Sequence, residues 1–174
     1  MNPLKSSSRA AALLVVSALA LAFTGCAARR QQQFLEDKAQ VHVYRKPIAE
    51  VWPDALSLLK DKGFSVMKGQ EGFEAQTEWL QTSAPSSLGT SFARYLVRGY
   101  ERGPGQSAVE YRRQERSESR SADNTDGRTN DPMETSPKAN SSQMVRDSAL
   151  EWELLQKVDP DAATALKAEA TKAG

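Results

Sequence analysis

The side chains able to do chemistry are few, and most stand in patterns that point away from catalysis. The chain has a single histidine, His42, and a single cysteine, Cys26. One histidine allows neither a multi-histidine metal site nor a zinc-binding HExxH helix, and one cysteine allows no intramolecular disulfide. His42 alternates with Val41 and Val43, so a solvent-facing or core-edge imidazole is expected there, not the base of a nucleophilic triad. Glu74 and Glu78 flank Gln76 on the polar side of an alternating stretch, where solvated glutamates are common and acid–base pairing is not required. Gly103-Pro104-Gly105 lacks the lysine and following helix of a phosphate-binding loop. The arginines at 94, 98, 102, 112, 113, 116 and 120 are interleaved with glutamates at 101, 110, 115 and 118, which favours cross-strand ion pairs over an anion site. No catalytic residue, cofactor or metal site is assigned.

Charge excludes a further class. The whole chain carries 23 basic and 22 acidic residues; without residues 1–25, which hold Lys5 and Arg9 and no acid, the side-chain balance is −1. A nucleic-acid binder would show a basic surplus, so no nucleic-acid partner is expected.

Cys26 is different because of what precedes it. A basic start with Lys5 and Arg9 leads into an apolar run at 10–23, and Thr24-Gly25 then end directly at the cysteine. These are the three regions of a secretory signal, with an apolar run too short to span a bilayer comfortably. The Thr24-Gly25-Cys26 junction resembles the lipobox of bacterial lipoproteins, with Phe23 where that family most often has leucine. The resemblance implies diacylation of the Cys26 thiol, cleavage after Gly25 and acylation of the new amine. Ala27 stands where an aspartate would resemble an inner-membrane retention signal, so a Gram-negative source implies the periplasmic face of the outer membrane. In another envelope the lipid would hold the protein to the cell membrane.

The elements behind the anchor are read from periodicity. Residues 26–39 are expected to form a lipid-anchored tether, polar apart from Phe34 and Leu35. An α+β domain is expected over 40–116. It opens with a strand at 40–45, Val41 and Val43 inward. A helix follows on the spacing of Ile48, Val51, Trp52, Ala55, Leu58 and Leu59, regular from about 51 because Pro53 belongs in a first turn, and capped by Gly63. Strands are expected at 64–67, at 73–79 with Phe73, Ala75, Thr77 and Trp79 on the dry face, and at 93–101 and 107–114 with Tyr95, Val97, Val109 and Tyr111 inward. Residues 117–141 are too polar to offset ordering entropy and are expected to be a disordered linker. In the carboxy-terminal segment, 142–174, a helix at 142–158 is apolar around most of its circumference. Met144, Val145, Trp152 and Leu155 are its candidate packing or partner surface. Asp159-Pro160 then opens an alanine-rich helix to about 171.

The expected fold is thus an antiparallel sheet of about four or five strands packed on one helix, with a carboxy-terminal helix beyond a disordered loop. The order of elements, with Val51-Trp52, Leu58-Leu59, Gly63-Phe64 and Thr77-Glu78-Trp79, resembles the helix-grip domains of a lipoprotein component of the bacterial β-barrel assembly machinery. That family has two such domains and a long partner-contacting amino-terminal segment; one domain and a short tether are read here, so no partner-binding residue is carried over. The expected function is a lipid-anchored, non-catalytic structural or accessory subunit of an envelope assembly, with a membrane contact through Cys26 and a protein partner. The alternative is a carrier holding an apolar ligand between helix and sheet.

Overall fold

A computed structural model describes residues 27–69, 72–85, 89–118, 140–141 and 143–173. The architecture is mixed α+β: helices α1 (residues 27–40), α2 (Ile48–Asp61), α3 (Ser148–Val158) and α4 (Pro160–Ala173), and an open antiparallel sheet. Its strands are β1 (Val66–Lys68), β2 (Glu74–Thr77), β3 (Leu80–Gln81), β4 (Thr90–Gly103), β5 (Gln106–Glu118), β6 (Asn140–Ser141) and β7 (Val145–Arg146). The order across the sheet is β1-β2-β4-β5-β6, with β3 also on β4 and β7 also on β5. The sheet is therefore five rows wide, two of its rows being built from two short strands each.

The long β4–β5 hairpin is the spine. Its turn is tight because Pro104 fixes one backbone angle and Gly105 adopts φ 66°, while Gly103 pairs with Gln106 across it. Alternation along both strands is that of a sheet dry on one side: Ala93, Tyr95 and Val97 of β4, and Ser107, Val109 and Tyr111 of β5, are buried. The inward set expected from sequence is therefore the observed one.

Helix α2 lies on that dry face. Its first turn is anchored by Ile48, which is fully buried and fills the space above Gly99; a Cβ on Gly99 would stand 2.6 Å from Ile48 Cδ1. This anchoring starts the helix at Ile48, three residues before the expected regular start, and leaves Pro53 just beyond the first turn. The lost backbone hydrogen bond is offset by burial of Ile48, Val51, Ala55 and Leu59. At the other end Gly63, at φ 86°, closes the helix as expected. The Phe64 N–H donates to Leu59 O at 3.0 Å and the Gly63 N–H to Lys60 O at 2.9 Å.

Two expectations at the amino-terminal side are corrected. Residues 27–40 form a helix rather than an open tether, because Leu35 and Ala39, four apart on one face, are buried in the core cluster with Phe34 packed beside them. The expected strand at 40–45 reduces to one bridge between Tyr44 and Ser107, with paired backbone bonds of 2.8 and 3.0 Å. Its phase is also reversed: Tyr44 is buried, while Val41 is 73% and Val43 38% exposed. The large phenol ring buries more apolar area than either valine, and it decides which residues face in.

The carboxy-terminal part is divided differently from the expected helix at 142–158. Val145 and Arg146 pair with Arg113 and Arg112 of β5. Asp147 then caps α3, its carboxylate accepting from Leu150 N–H at 3.0 Å. Apolar character around α3 is explained by its neighbours: it packs on α2, β5 and α4. Asp159 caps α4 as its sequence suggests, accepting from Ala162 N–H at 3.1 Å. The expected disordered linker lies mainly outside the described residues; of its ends, Ser117 and Glu118 belong to β5 and Asn140 and Ser141 to β6.

The close approach of Gly99 to Ile48 Cδ1 and to Phe73 Cβ, 2.9 Å from the same built atom, sets a test. Gly99→Ala forces α2 off the sheet and should destabilise by about 1–3 kcal/mol. Arg102→Ala on the exposed strand end should cost less than about 0.5 kcal/mol. Urea unfolding followed by circular dichroism separates the two, and equal midpoints would refute the packing described.

Candidate interaction surface

Among the described residues, no helix is placed on the second face of the sheet. Residues of all four helices join one core cluster with Ala93, Tyr95, Val97, Val109 and Tyr111, whose side chains share the dry face. The alternate residues of the hairpin point the other way: Phe92, Arg94, Leu96 and Arg98 on β4, opposite Arg116, Gln114, Arg112 and Glu110 on β5.

Trp79 reaches this outer face through a bulge. Ala75 and Gln76 of β2 lie opposite Val97 and Leu96, and Thr77 Oγ1 accepts from Tyr95 N–H at 2.9 Å. On strict alternation Trp79 would then face Ala93 on the dry side. Leu80 is opposite Ala93 instead, so Glu78 and Trp79 together span the place of one partner, Arg94. One extra residue reverses the side on which every later residue emerges. Leu80 turns inward against the core cluster, and Trp79 turns outward. This corrects the expectation that Trp79 lies on the dry face with Phe73, Ala75 and Thr77.

There the indole meets two cations. The guanidinium carbon of Arg94 stands 4.7 Å and that of Arg116 4.6 Å from its ring centroid, and Arg116 also lies 4.9 Å from the Phe92 ring. Such contacts contribute about 0.5–1 kcal/mol each at exposed sites. Arg94 Nε donates to Gln114 Oε1 at 2.8 Å, which fixes its guanidinium plane. Farther along, Arg98 pairs across strands with Glu74 at 3.3 Å, Arg112 pairs with Glu110, and Arg116 pairs with Glu118 at 3.2 Å. The ion pairs expected from the arginine–glutamate interleaving are thus present, but two of these three run along one strand, because residues two apart on a strand share a face. Arg94 and Arg102 have no carboxylate within ion-pair distance among the described residues, and Arg102 stacks on Tyr100 at 5.4 Å. The surface is an aromatic platform with excess positive charge.

The candidate surface residues named from sequence separate into two groups. Trp152 and Leu155 are 5% and 0% exposed and belong to the core. Val145 is 64% exposed on β7, and Met144, just before it, is half-buried. The four do not come together as one surface, and the helix that carries Trp152 and Leu155 packs on its own domain. Cys26 lies outside the described residues. His42 sits beside Tyr44, ring centroids 4.9 Å apart, with Nε2 3.7 Å from Asp159; burial holds its imidazole below the ordinary value. Among the described residues no group of three or more His, Cys, Asp or Glu is placed to hold a metal.

Sequence reasoning missed one buried carboxylate. Glu151 belongs to none of the patterns read from the sequence, yet it is 2% exposed. It accepts from Tyr111 N–H at 3.2 Å and from Arg146 Nε at 2.8 Å, and Arg146 reaches on to Gln40 O at 2.6 Å. One carboxylate thereby ties α3, β5, β7 and the end of α1. Its only legible signal is Arg146 five residues earlier, ahead of the helix cap.

No family model matches the chain, and no curated protein matches it.

Burial raises the Glu151 carboxyl above its ordinary value of 4.5, against the opposing pull of Arg146 and the Tyr111 N–H. The native state therefore binds this proton more tightly than the unfolded chain. Its contribution to stability is fully present below the ordinary value and declines as pH rises through the raised one. From pH 4.5 toward neutrality the wild-type urea midpoint should fall relative to that of Glu151→Gln. Identical pH slopes for the two proteins would show that this carboxyl is not the source.

Proposed function

We propose that the protein is a lipid-anchored, non-catalytic accessory subunit of a cell-envelope assembly, held through lipid on Cys26 at the periplasmic face of an outer membrane. The observation that carries this reading is the one-sided packing of the sheet: among the described residues one face is closed by helices, and the other carries no helix and has Trp79 turned onto it by a bulge. A side chain re-aimed onto an uncovered face suits contact with a neighbour better than turnover of a substrate. Among the described residues no helix is long and apolar enough to cross a membrane. Attachment is proposed through the Thr24-Gly25-Cys26 junction, where acyl chains would contribute about 0.8 kcal/mol per buried methylene.

The carrier alternative is less well supported. It needs an empty space between α2 and the sheet. That space holds the Tyr111 ring, fully buried, with its hydroxyl donating to Ala55 O at 2.9 Å.

Fractionation after a high-salt wash tests the anchor. The wild-type protein should remain with membranes, whereas Cys26→Ser should appear either as the uncleaved precursor or in the soluble fraction. A cleaved Cys26→Ser protein that stays on washed membranes would refute anchoring by lipid.

A further inference from the structure

From the open sheet face we infer a docking surface for an acidic, extended segment of a partner protein, with Trp79 at its centre. The inference deepens the accessory-subunit reading by naming the chemistry of the partner, and it does not depend on the lipid.

Three observations carry it. The first is charge: in a chain of formal net charge +1, this one face carries five arginines, at 94, 98, 102, 112 and 116, against Glu74, Glu110 and Glu118. The second is the state of those arginines. Arg94 lies over an indole and is fixed by Gln114, without a carboxylate partner among the described residues. A guanidinium held through its Nε–H beside a ring keeps its terminal N–H groups for a carboxylate, and little side-chain entropy is left to lose on binding. The third is spacing. Arg94 and Arg98 follow one strand four residues apart, about 13 Å, and Arg102 continues the series at a register shift, where it lies over the Tyr100 ring. An extended segment laid along β4 would present carboxylates on one side at the same period, whereas successive helical turns repeat at about 5.4 Å. Leu96 and Phe92, half-exposed between the arginines, provide apolar contact for the residues between those carboxylates.

Nucleic acid is the other polyanion that stacks on aromatic and arginine side chains. The three acids on this face, each paired to an arginine, would oppose a continuous phosphate backbone. A peptide with carboxylates at intervals can avoid them.

The test uses the full-length protein in detergent and three labelled probes read by fluorescence anisotropy at low salt. They are a twelve-residue peptide alternating glutamate with valine, its lysine–valine counterpart, and an oligothymidylate of twelve nucleotides. The glutamate peptide should bind at least about tenfold more tightly than either other probe, and should weaken as salt is raised. Arg94→Glu with Arg116→Glu should weaken it by a further factor of about ten and shift preference toward the lysine peptide. Trp79→Phe, which keeps an aromatic platform, should retain more binding than Trp79→Ala, while Glu50→Lys on α2 should change nothing. Unfolding midpoints of all variants are measured alongside, and Arg94→Gln supplies the charge test if the double reversal fails to fold. Equal binding of the two peptides, tighter binding of the oligothymidylate, or glutamate-peptide binding untouched by the arginine substitutions would each overturn the inference. Because the readout needs no membrane, failure of the Cys26 anchor would leave these results unchanged.

Discussion

Tyr111 is where the fold is tied together. Its ring is wholly buried, its hydroxyl donates to a carbonyl of α2, its N–H donates to Glu151 of α3, and its own carbonyl accepts from Asp147 N–H at 2.9 Å, just ahead of α3. A single residue of β5 therefore sets the positions of two helices against the sheet. Loss of the ring would open a large void and remove the second hydrogen bond of the Ala55 carbonyl, which also accepts within α2. Burial also raises the phenol well above its ordinary value, keeping the hydroxyl a proton donor at any physiological pH. The helices can sit on one face only because this side of the hairpin is so fully committed to them.

That commitment has a consequence on the far side of the same strands. A strand buried on one face shows its alternate residues to solvent, and β4 and β5 are long enough to make that second face extensive. Ordinary solvated faces are filled with charge of both signs and little aromatic area. Here the bulge at Glu78-Trp79 adds an indole, and Phe92, Leu96 and Tyr100 keep it company beside the arginines. The bulge gives up regular pairing on the short β2–β3 row, while Leu80 gains a place against the core. Two side chains thus exchange faces in one step, and the core benefits from the same irregularity that furnishes the surface.

The parts legible in the sequence are those where one physical signal dominates. The hairpin is readable because Tyr95, Val97, Val109 and Tyr111 alternate on either side of a Gly-Pro-Gly turn, and α2 because its apolar residues follow helical spacing to a glycine cap. The apolar circumference of α3 correctly implies several neighbours. Reading fails wherever a choice between weak local signals is settled by tertiary contact. Two apolar contacts by Leu35 and Ala39 make a helix of a stretch whose composition suits a linker. Tyr44 displaces Val41 and Val43 from the core, and Asp147, whose carboxylate also accepts from the Tyr95 hydroxyl at 2.6 Å, divides a continuous apolar run into strand and helix. The face of Trp79 is beyond reach because alternation predicts a face only until a register shift, and nothing in Thr77-Glu78-Trp79-Leu80 announces one. Glu151 is hidden for a related reason, since its burial depends on partners on other elements.

The helix at 27–40 joins these points to the proposed anchor. Its described residues run from Ala27, next to Cys26, and it is packed into the core from Phe34 onward, so the roughly two turns ahead of Phe34 form a mostly exposed stalk. At 1.5 Å per residue that stalk spans about 10 Å, much less than the reach of an extended tether. Acylation at Cys26 would then hold the domain close to the bilayer and limit its rotation, because a helix transmits orientation where a coil does not. A surface that recognises its partner through an open sheet face gains from such restriction, since only some orientations expose that face to a neighbour on the same membrane. Confinement raises the effective concentration of the two surfaces, so an individually weak charged contact can be sufficient in place.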